Sequence, residues 1–110
     1  MILLSKDTER LIEIIFPSIL HSQVIKAITK ECSENIPFCE NATPENMERI
    51  RFSVLKLSEG KMDVLQQAID MAKLDWRDLF MNAGFGYDTK AHIHWAESML
   101  NATREGLRRR

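Results

Sequence analysis

The chain has 110 residues and a mass of 12.8 kDa, enough for one hydrophobic core and too little for two. Its 45% apolar and 28% charged content lies away from the low-hydrophobicity, high-charge composition of disordered chains. A net charge of -1 supplies no global field that would select nucleic acid or an anionic membrane.

Charge is nevertheless uneven. Residues 31–88 carry 11 acids against 6 bases, whereas 89–110 carry 5 bases against 2 acids, so an acidic middle precedes a basic tail. The opening MILLSKDTER offers four apolar residues before mixed charges, too few for a signal h-region. No apolar run reaches the length that spans a bilayer, so no membrane partner is expected. The expected location is the cytoplasm, with Cys32 and Cys39 reduced. The Asn-Ala-Thr triplets at Asn41 and Asn101 then have no meaning as glycosylation sites.

In chain order, Ser5 or Asp7 can cap a first helix running to Phe16, with Leu11, Ile14 and Ile15 along one side. Pro17 pushes Phe16 out of the helical region, so the chain should turn and restart near Ser18 or Ser22. The restarted helix places Val24, Ile28 and Cys32 on one stripe. Residues 34–42 lack periodicity and read as a loop with Phe38 tucked inward. Thr43-Pro44-Glu45 is the clearest helix start. It supplies a capping hydroxyl, a proline whose missing N–H costs nothing there, and an acid at the positive helix end. Met47, Ile50, Val54 and Leu57 form the inward stripe of that helix.

Ser58-Glu59-Gly60 should stop it, with Ser58 capping the next helix, on which Met62, Leu65, Ile69 and Ala72 recur at threes and fours. Asp75 is a new cap, and Trp76, Leu79, Phe80 and Ala83 share a face of a short helix ended by Gly84. Asp88 caps a last helix to about Thr103, with Ala91, Trp95, Met99 and Ala102 on its stripe. Nothing alternates with period two long enough for a sheet. The expected fold is a single all-α domain over 1–110, a bundle of five or six short helices joined by tight turns, with 104–110 a frayed basic tail.

The run LKLSEGKMDVLQQAIDMAKLDWRDLFMNAGFG, followed by AHIHW, resembles a set of short bacterial proteins with no assigned activity. They share an LKLSxG turn, a helix, DWRDLL, AGF and a later histidine and tryptophan in an HxxW-like pattern. The upstream NIPFCENATPENMERIRFSVLKLS is also similar, so the resemblance covers about residues 31–96. It implies a bacterial, cytosolic, widely reused module and no reaction.

The candidate chemistry is sparse. Cys32, Cys39, His92 and His94 are the only metal-ligand side chains in plausible number. The cysteines are seven apart, and two histidines two apart on a helix point about 200° from each other, so no metal or cofactor is expected. His92 lies beside the apolar stripe and His94 on the face of Glu97, Ser98 and Asn101, so their exposures should differ. His92 beside an acid could act as a general base, but a packed histidine explains it better. Asp75 and Asp78 are explained as helix-start acids and Gly84 as a helix stop, and Gly84-Phe85-Gly86 follows a helix rather than the strand a phosphate loop requires. Arg104 and Arg108 to Arg110 carry no interleaved aromatics for base stacking. His21 is isolated.

Trp76 and Trp95 are expected in the core and Tyr87 on the surface. The expected function is a non-enzymatic protein–protein interaction module, with an immunity- or antitoxin-like role as its specific version. The acidic middle would suit a basic toxin as partner, and self-association is the other option. Its interaction surface would comprise Arg77, Phe85, Tyr87, Thr89, His92 and His94. The alternatives are a nucleic-acid-associated regulator using the terminal arginines and a small enzyme using His92.

Overall fold

The structure is a computed structural model that describes residues 2–39 and 43–108; the side chains of Cys39 and of residues 104–108 are outside the description. Among the described residues six α-helices follow one another: α1 (Lys6–Ile15), α2 (His21–Glu31), α3 (Pro44–Ser58), α4 (Met62–Leu74), α5 (Trp76–Ala83) and α6 (Ala91–Arg108). Two 3-10 turns, Ser18–Leu20 and Pro37–Cys39, lie between them. No strand occurs among the described residues, and no described helix is long and apolar enough to cross a membrane.

Local chemistry sets the boundaries. Ser5 Oγ accepts from Thr8 N at 3.2 Å and starts α1, and Phe16 before Pro17 is extended (φ -108, ψ 147) and ends it. His21 Nε2 donates to Phe16 O at 2.7 Å, which closes the proline turn and gives this isolated histidine a structural task. The inward side of α1 is Thr8, Leu11 and Ile12; Ile14 and Ile15 are only half-buried, a rotation of the expected stripe. On α2 the stripe Val24, Ile28, Cys32 is fully buried as its spacing predicts.

Thr43 Oγ1 accepts from Asn46 N at 3.2 Å and starts α3. This helix departs most from expectation. Ile50, Arg51, Phe52, Ser53, Val54 and Leu55 are six consecutive buried residues, and at 100° per residue they cover the whole helix circumference. The helix is therefore a central shaft, in contact with α1, α4, α5 and α6, rather than a wall with one apolar stripe. Its polar members are satisfied from within. Ser53 Oγ donates to Arg49 O and Ser58 Oγ to Leu55 O, both at 2.7 Å.

Arg51 is 1% exposed. Its Nε donates to Cys32 O at 2.9 Å, Nη1 to Leu3 O at 3.0 Å, and Nη2 to Ile2 O and, at 3.4 Å, to Ser33 Oγ. Ser33 Oγ also accepts from Ile2 N and donates to Thr29 O. One guanidinium thus ties the N-terminal segment to the end of α2 through the central helix. A planar fork of five donors does this where a lysine ammonium could not.

The α3–α4 turn corrects another expectation. Ser58 does not cap α4, whose first flanking residue is Lys61 without a side-chain cap. Ser58 Oγ instead accepts from Gly60 N at 3.3 Å, and the turn is made by Glu59 (φ 51) and Gly60 (φ 78), both left-handed. On α4 the buried side is Leu65, Ala68, Ile69 and Ala72, with Met62 half-buried.

Asp75 serves two helices. Its N–H donates to Met71 O at 2.7 Å to end α4, and its Oδ1 accepts from Arg77 N at 3.1 Å and Asp78 N at 3.4 Å to start α5. Asp75→Ala should lower stability by about 1 kcal/mol and Asp75→Asn by a few tenths, measured as the shift in urea midpoint. Gly84 (φ 80) stops α5 as expected. Gly84 N–H donates to Met81 O at 3.1 Å and Phe85 N–H to Phe80 O at 2.8 Å, the paired bonds of a Schellman stop. That stop brings the residue after the glycine back onto the helix. Phe85 is accordingly 1% exposed.

Asp88 Oδ1 accepts from Lys90 N at 2.9 Å and Asp88 O from Ala91 N at 3.2 Å, a turn ahead of α6; the first helical acceptor is Lys90 O, so Asp88 does not cap the helix as expected. The helix continues to Arg108, past the expected end at Thr103. Its buried residues are Ala91, His92 and Ala96; Trp95 and Met99 are half-buried and Ala102 is exposed.

Candidate functional site

The turn between α5 and α6 is fastened from below by α3. Arg49 and Lys56, seven residues apart and so on the same helix face, reach the C-terminal end of α5. Lys56 Nζ donates to Ala83 O and Arg49 Nη2 to Phe85 O, both at 2.7 Å. Cations there meet the negative end of the α5 dipole and carbonyls that no helical N–H can reach.

Two ring clusters flank these cations. In the first, Phe38 lies 4.5 Å from Trp76 and edge-on to Phe80 at 5.1 Å, which is the inward tuck expected of Phe38. The Arg49 guanidinium sits 4.1 Å over the Phe80 ring and that of Arg77 4.7 Å over Trp76. In the second, His92 lies 5.7 Å from Phe52 and 6.3 Å from Phe85, with Trp95 5.9 Å from Phe85. Trp76 and Trp95 both pack against the core without being sealed in it.

Two clefts open on either side of a wall made by Arg49 and Thr89. One, of about 480 Å³, is lined by Arg49, Trp76, Arg77, Phe80, Met81, Gly86 and Thr89. The other, of about 320 Å³, is lined by Glu45, Asn46, Arg49, Thr89, Lys90, His92 and Ile93. Met81 in the lining of the first is 69% exposed, and Tyr87, next in the chain to the lining residue Gly86, is 83% exposed. A Cβ at Gly86 would run into the Met81 sulfur, so glycine lets this methionine lie over the turn.

The six expected surface residues therefore divide. Arg77, Tyr87, Thr89 and His94 are exposed. Phe85 and His92, at 1% and 2% exposure, lie beneath the turn and can shape the surface only indirectly. The structure brings Arg77 and Thr89 together on one cleft and Thr89 and His92 on the other. Arg49, Met81 and Lys90 were not anticipated. The available signal was the seven-residue spacing of Arg49 and Lys56, which reads as ordinary solvated charge until α5 is known to end over it.

His92 has an unusual environment. Neither ring nitrogen touches solvent or has a hydrogen-bond partner, and Arg49 Nε is in the same condition. Thr89 O lies close enough to act on the ring electrostatically, yet not in hydrogen-bonding geometry. Burial holds the His92 pKa below its ordinary value, reinforced by the Arg49 charge, while Glu45, Asp88 and Thr89 O oppose the shift weakly. Burial likewise lowers Arg49, opposed by Asp88, although a guanidinium remains charged at any pH of interest.

Two results should follow. Above about pH 6.5 the ring is neutral in both folded and unfolded chains. As pH falls below that value the unfolded chain takes up a proton that the folded one resists, so stability should decline until the folded ring also protonates. Urea midpoints between pH 7.5 and pH 5 should show this decline, and His92→Phe should remove that share of it. The same substitution deletes two unpartnered polar atoms within a cluster of rings. It should leave stability unchanged or raise it by about 1 kcal/mol at pH 7.5, whereas loss of several kcal/mol would mean that the imidazole is bonded.

Among the described residues no group of three or more His, Cys, Asp or Glu side chains could hold a metal ion. Cys32 is buried, whereas the Cys39 side chain, Arg109 and Arg110 and the side chains of Arg104 and Arg108 lie outside the description. No family model, curated protein or solved structure matches the chain.

Proposed function

We propose that the chain is a non-enzymatic protein–protein interaction module that works through the α5–α6 corner. The observation that carries this reading is the cleft between Trp76, Phe80 and Met81, with two guanidiniums over its rings and exposed Met81 in its lining; exposed Tyr87 follows the lining residue Gly86 in the chain. Aromatic, methionine and arginine side chains are enriched at binding surfaces, where a rigid apolar seat and a directional cation act together. Such a seat fits a partner segment that pairs an apolar side chain with a carboxylate. An immunity- or antitoxin-like role is the specific version of this reading, in a bacterial cytoplasm. The cations at the corner favour an acidic contact on the partner rather than the basic toxin that the acidic middle of the chain would suit.

Benzoylphenylalanine placed at position 87 should cross-link one discrete partner in native-cell extract. The purified partner should then bind with an affinity that Arg77→Glu lowers at least tenfold. Cross-linking only to a second copy, or to nothing, would sink the reading. The enzyme alternative is weakened by the seclusion of His92 from any carboxylate hydrogen bond. Nucleic-acid association through the terminal arginines would appear as binding that collapses with added salt and on deletion of residues 108–110.

A further inference from the structure

We propose that the smaller cleft, between the start of α6 and the first turns of α3, is a binding site for a carboxylate held between Arg49 Nε and the His92 ring. The inference goes beyond the partner-binding corner, since it concerns the opposite side of the Arg49–Thr89 wall.

Three buried polar atoms of these two residues have no partner in the protein, and both residues line one cleft of about 320 Å³. Arg49 is not free to turn its Nε elsewhere. Its Nη2 is bonded to Phe85 O and its plane lies over Phe80. His92 is held among Phe52 and Phe85. Buried polar groups are almost always paired, because an unpaired one forfeits its hydration without return, so rigid orphans that share one cleft mark a missing ligand atom.

The surrounding charges select the ligand. The groups facing His92 are Glu45 and Arg49 from α3 and Asp88 and Lys90 from the turn. Asp88 is engaged with the Lys90 backbone, which leaves Arg49 and Lys90 against Glu45 in the lining. Asn46 lines the same cleft, as do His92 and Ile93 in the first turn of the 18-residue α6, its positive end. A monoanion with two acceptor oxygens matches this set. One oxygen accepts from Arg49 Nε–H and the other from a ring N–H of His92. Those nitrogens are closed to water in this conformation, so the ligand enters on movement of the other lining side chains, Glu45, Asn46 and Lys90, with Arg49 and His92 held in place. The neutral ring favoured by burial then becomes easier to protonate, because the carboxylate stabilises the imidazolium.

The test uses the wild-type protein and the histidine ring resonances in NMR. Acetate serves as the free carboxylate; a short peptide with a free C-terminus, beside its C-terminal amide, tests whether a polypeptide end is the source. Acetate or the free-acid peptide should shift the His92 ring signals saturably in the millimolar range and raise the His92 pKa, while equal concentrations of chloride should do neither. Arg49→Gln should weaken the effect at least tenfold, and His92→Phe, expected to be stably folded, should abolish binding measured by calorimetry. Shifts that grow linearly with acetate and match chloride, or binding that survives in both variants, would overturn the site. Failure of either kind leaves Tyr87 cross-linking unaffected, so the two readings are separable.

Discussion

Arg51→Met should lower the free energy of unfolding by about 3–5 kcal/mol, the largest loss expected from any single polar residue among the described ones. Methionine preserves much of the volume of the buried stem but none of the donors. Cys32 O would lose a donor from a side chain that is 1% exposed, and a lost bond to a buried acceptor costs about 1–3 kcal/mol; Ser33 Oγ keeps Ile2 N as a donor. Ile2 O and Leu3 O are less demanding, because the segment can swing out to water; Leu3 is already 81% exposed. The substitution should therefore act in two ways. Urea unfolding should show a midpoint shift of several kcal/mol, and limited proteolysis should cut before Ser5 in the folded variant and not in the wild type. Arg51→Lys should recover only part of the loss, since one ammonium cannot span carbonyls on two segments. If Arg51→Met unfolds with an unchanged midpoint, the fastening assigned to this guanidinium is wrong.

Gly60→Ala should cost about 2–4 kcal/mol, and the comparison with Gly84→Ala shows why. Both glycines are left-handed, at φ 78 and φ 80, so alanine at either position carries the penalty of about 1–2 kcal/mol for that conformation. At Gly84 nothing is added, because the nearest atom to a new Cβ is the flexible Lys56 Nζ at 3.5 Å. At Gly60 the Cβ would stand 2.6 Å from Ile15 O, a backbone atom at the end of α1 that cannot rotate away. The α1 terminus and the α3–α4 turn would have to separate. Thermal unfolding should place Gly60→Ala well below Gly84→Ala, and equal melting temperatures would contradict the close approach.

Much of the architecture was legible before any coordinates. Helix punctuation is local chemistry: a hydroxyl or carboxylate within reach of the next free N–H groups, a proline that forbids helix behind it, a glycine that tolerates positive φ. Ser5, Pro17, Thr43, Asp75 and Gly84 act as their positions predict. The inward stripe of α2 was equally readable, because a helix with a single partner side shows three-and-four spacing.

Reading failed where a residue's partner is distant in sequence. A stripe was expected on α3, but a helix surrounded by others buries its polar positions too; Ser53 bonds back to Arg49 O of its own helix, whereas only the surroundings can satisfy Arg51. Phe85 stands in a glycine-rich turn and so reads as surface in the sequence. The stop at Gly84 folds it back, and an apolar residue directly after such a glycine was the signal. Met81 and Tyr87 were left outside by that same turn, so the exposed apolar pair and the buried phenylalanine have one origin.

Composition, capping residues and periodicity thus establish an all-α chain, its helix starts and most of its core, because those signals act between residues at most four or five apart. Which cation sits under which carbonyl, and which histidine is sealed among rings without a partner, depends on contacts such as Arg49 to Phe85 and Arg51 to Ile2, 36 and 49 residues apart. No local rule relates such pairs. They form only when the packed helices bring them together, and it is this packing that builds the clefts of the α5–α6 corner.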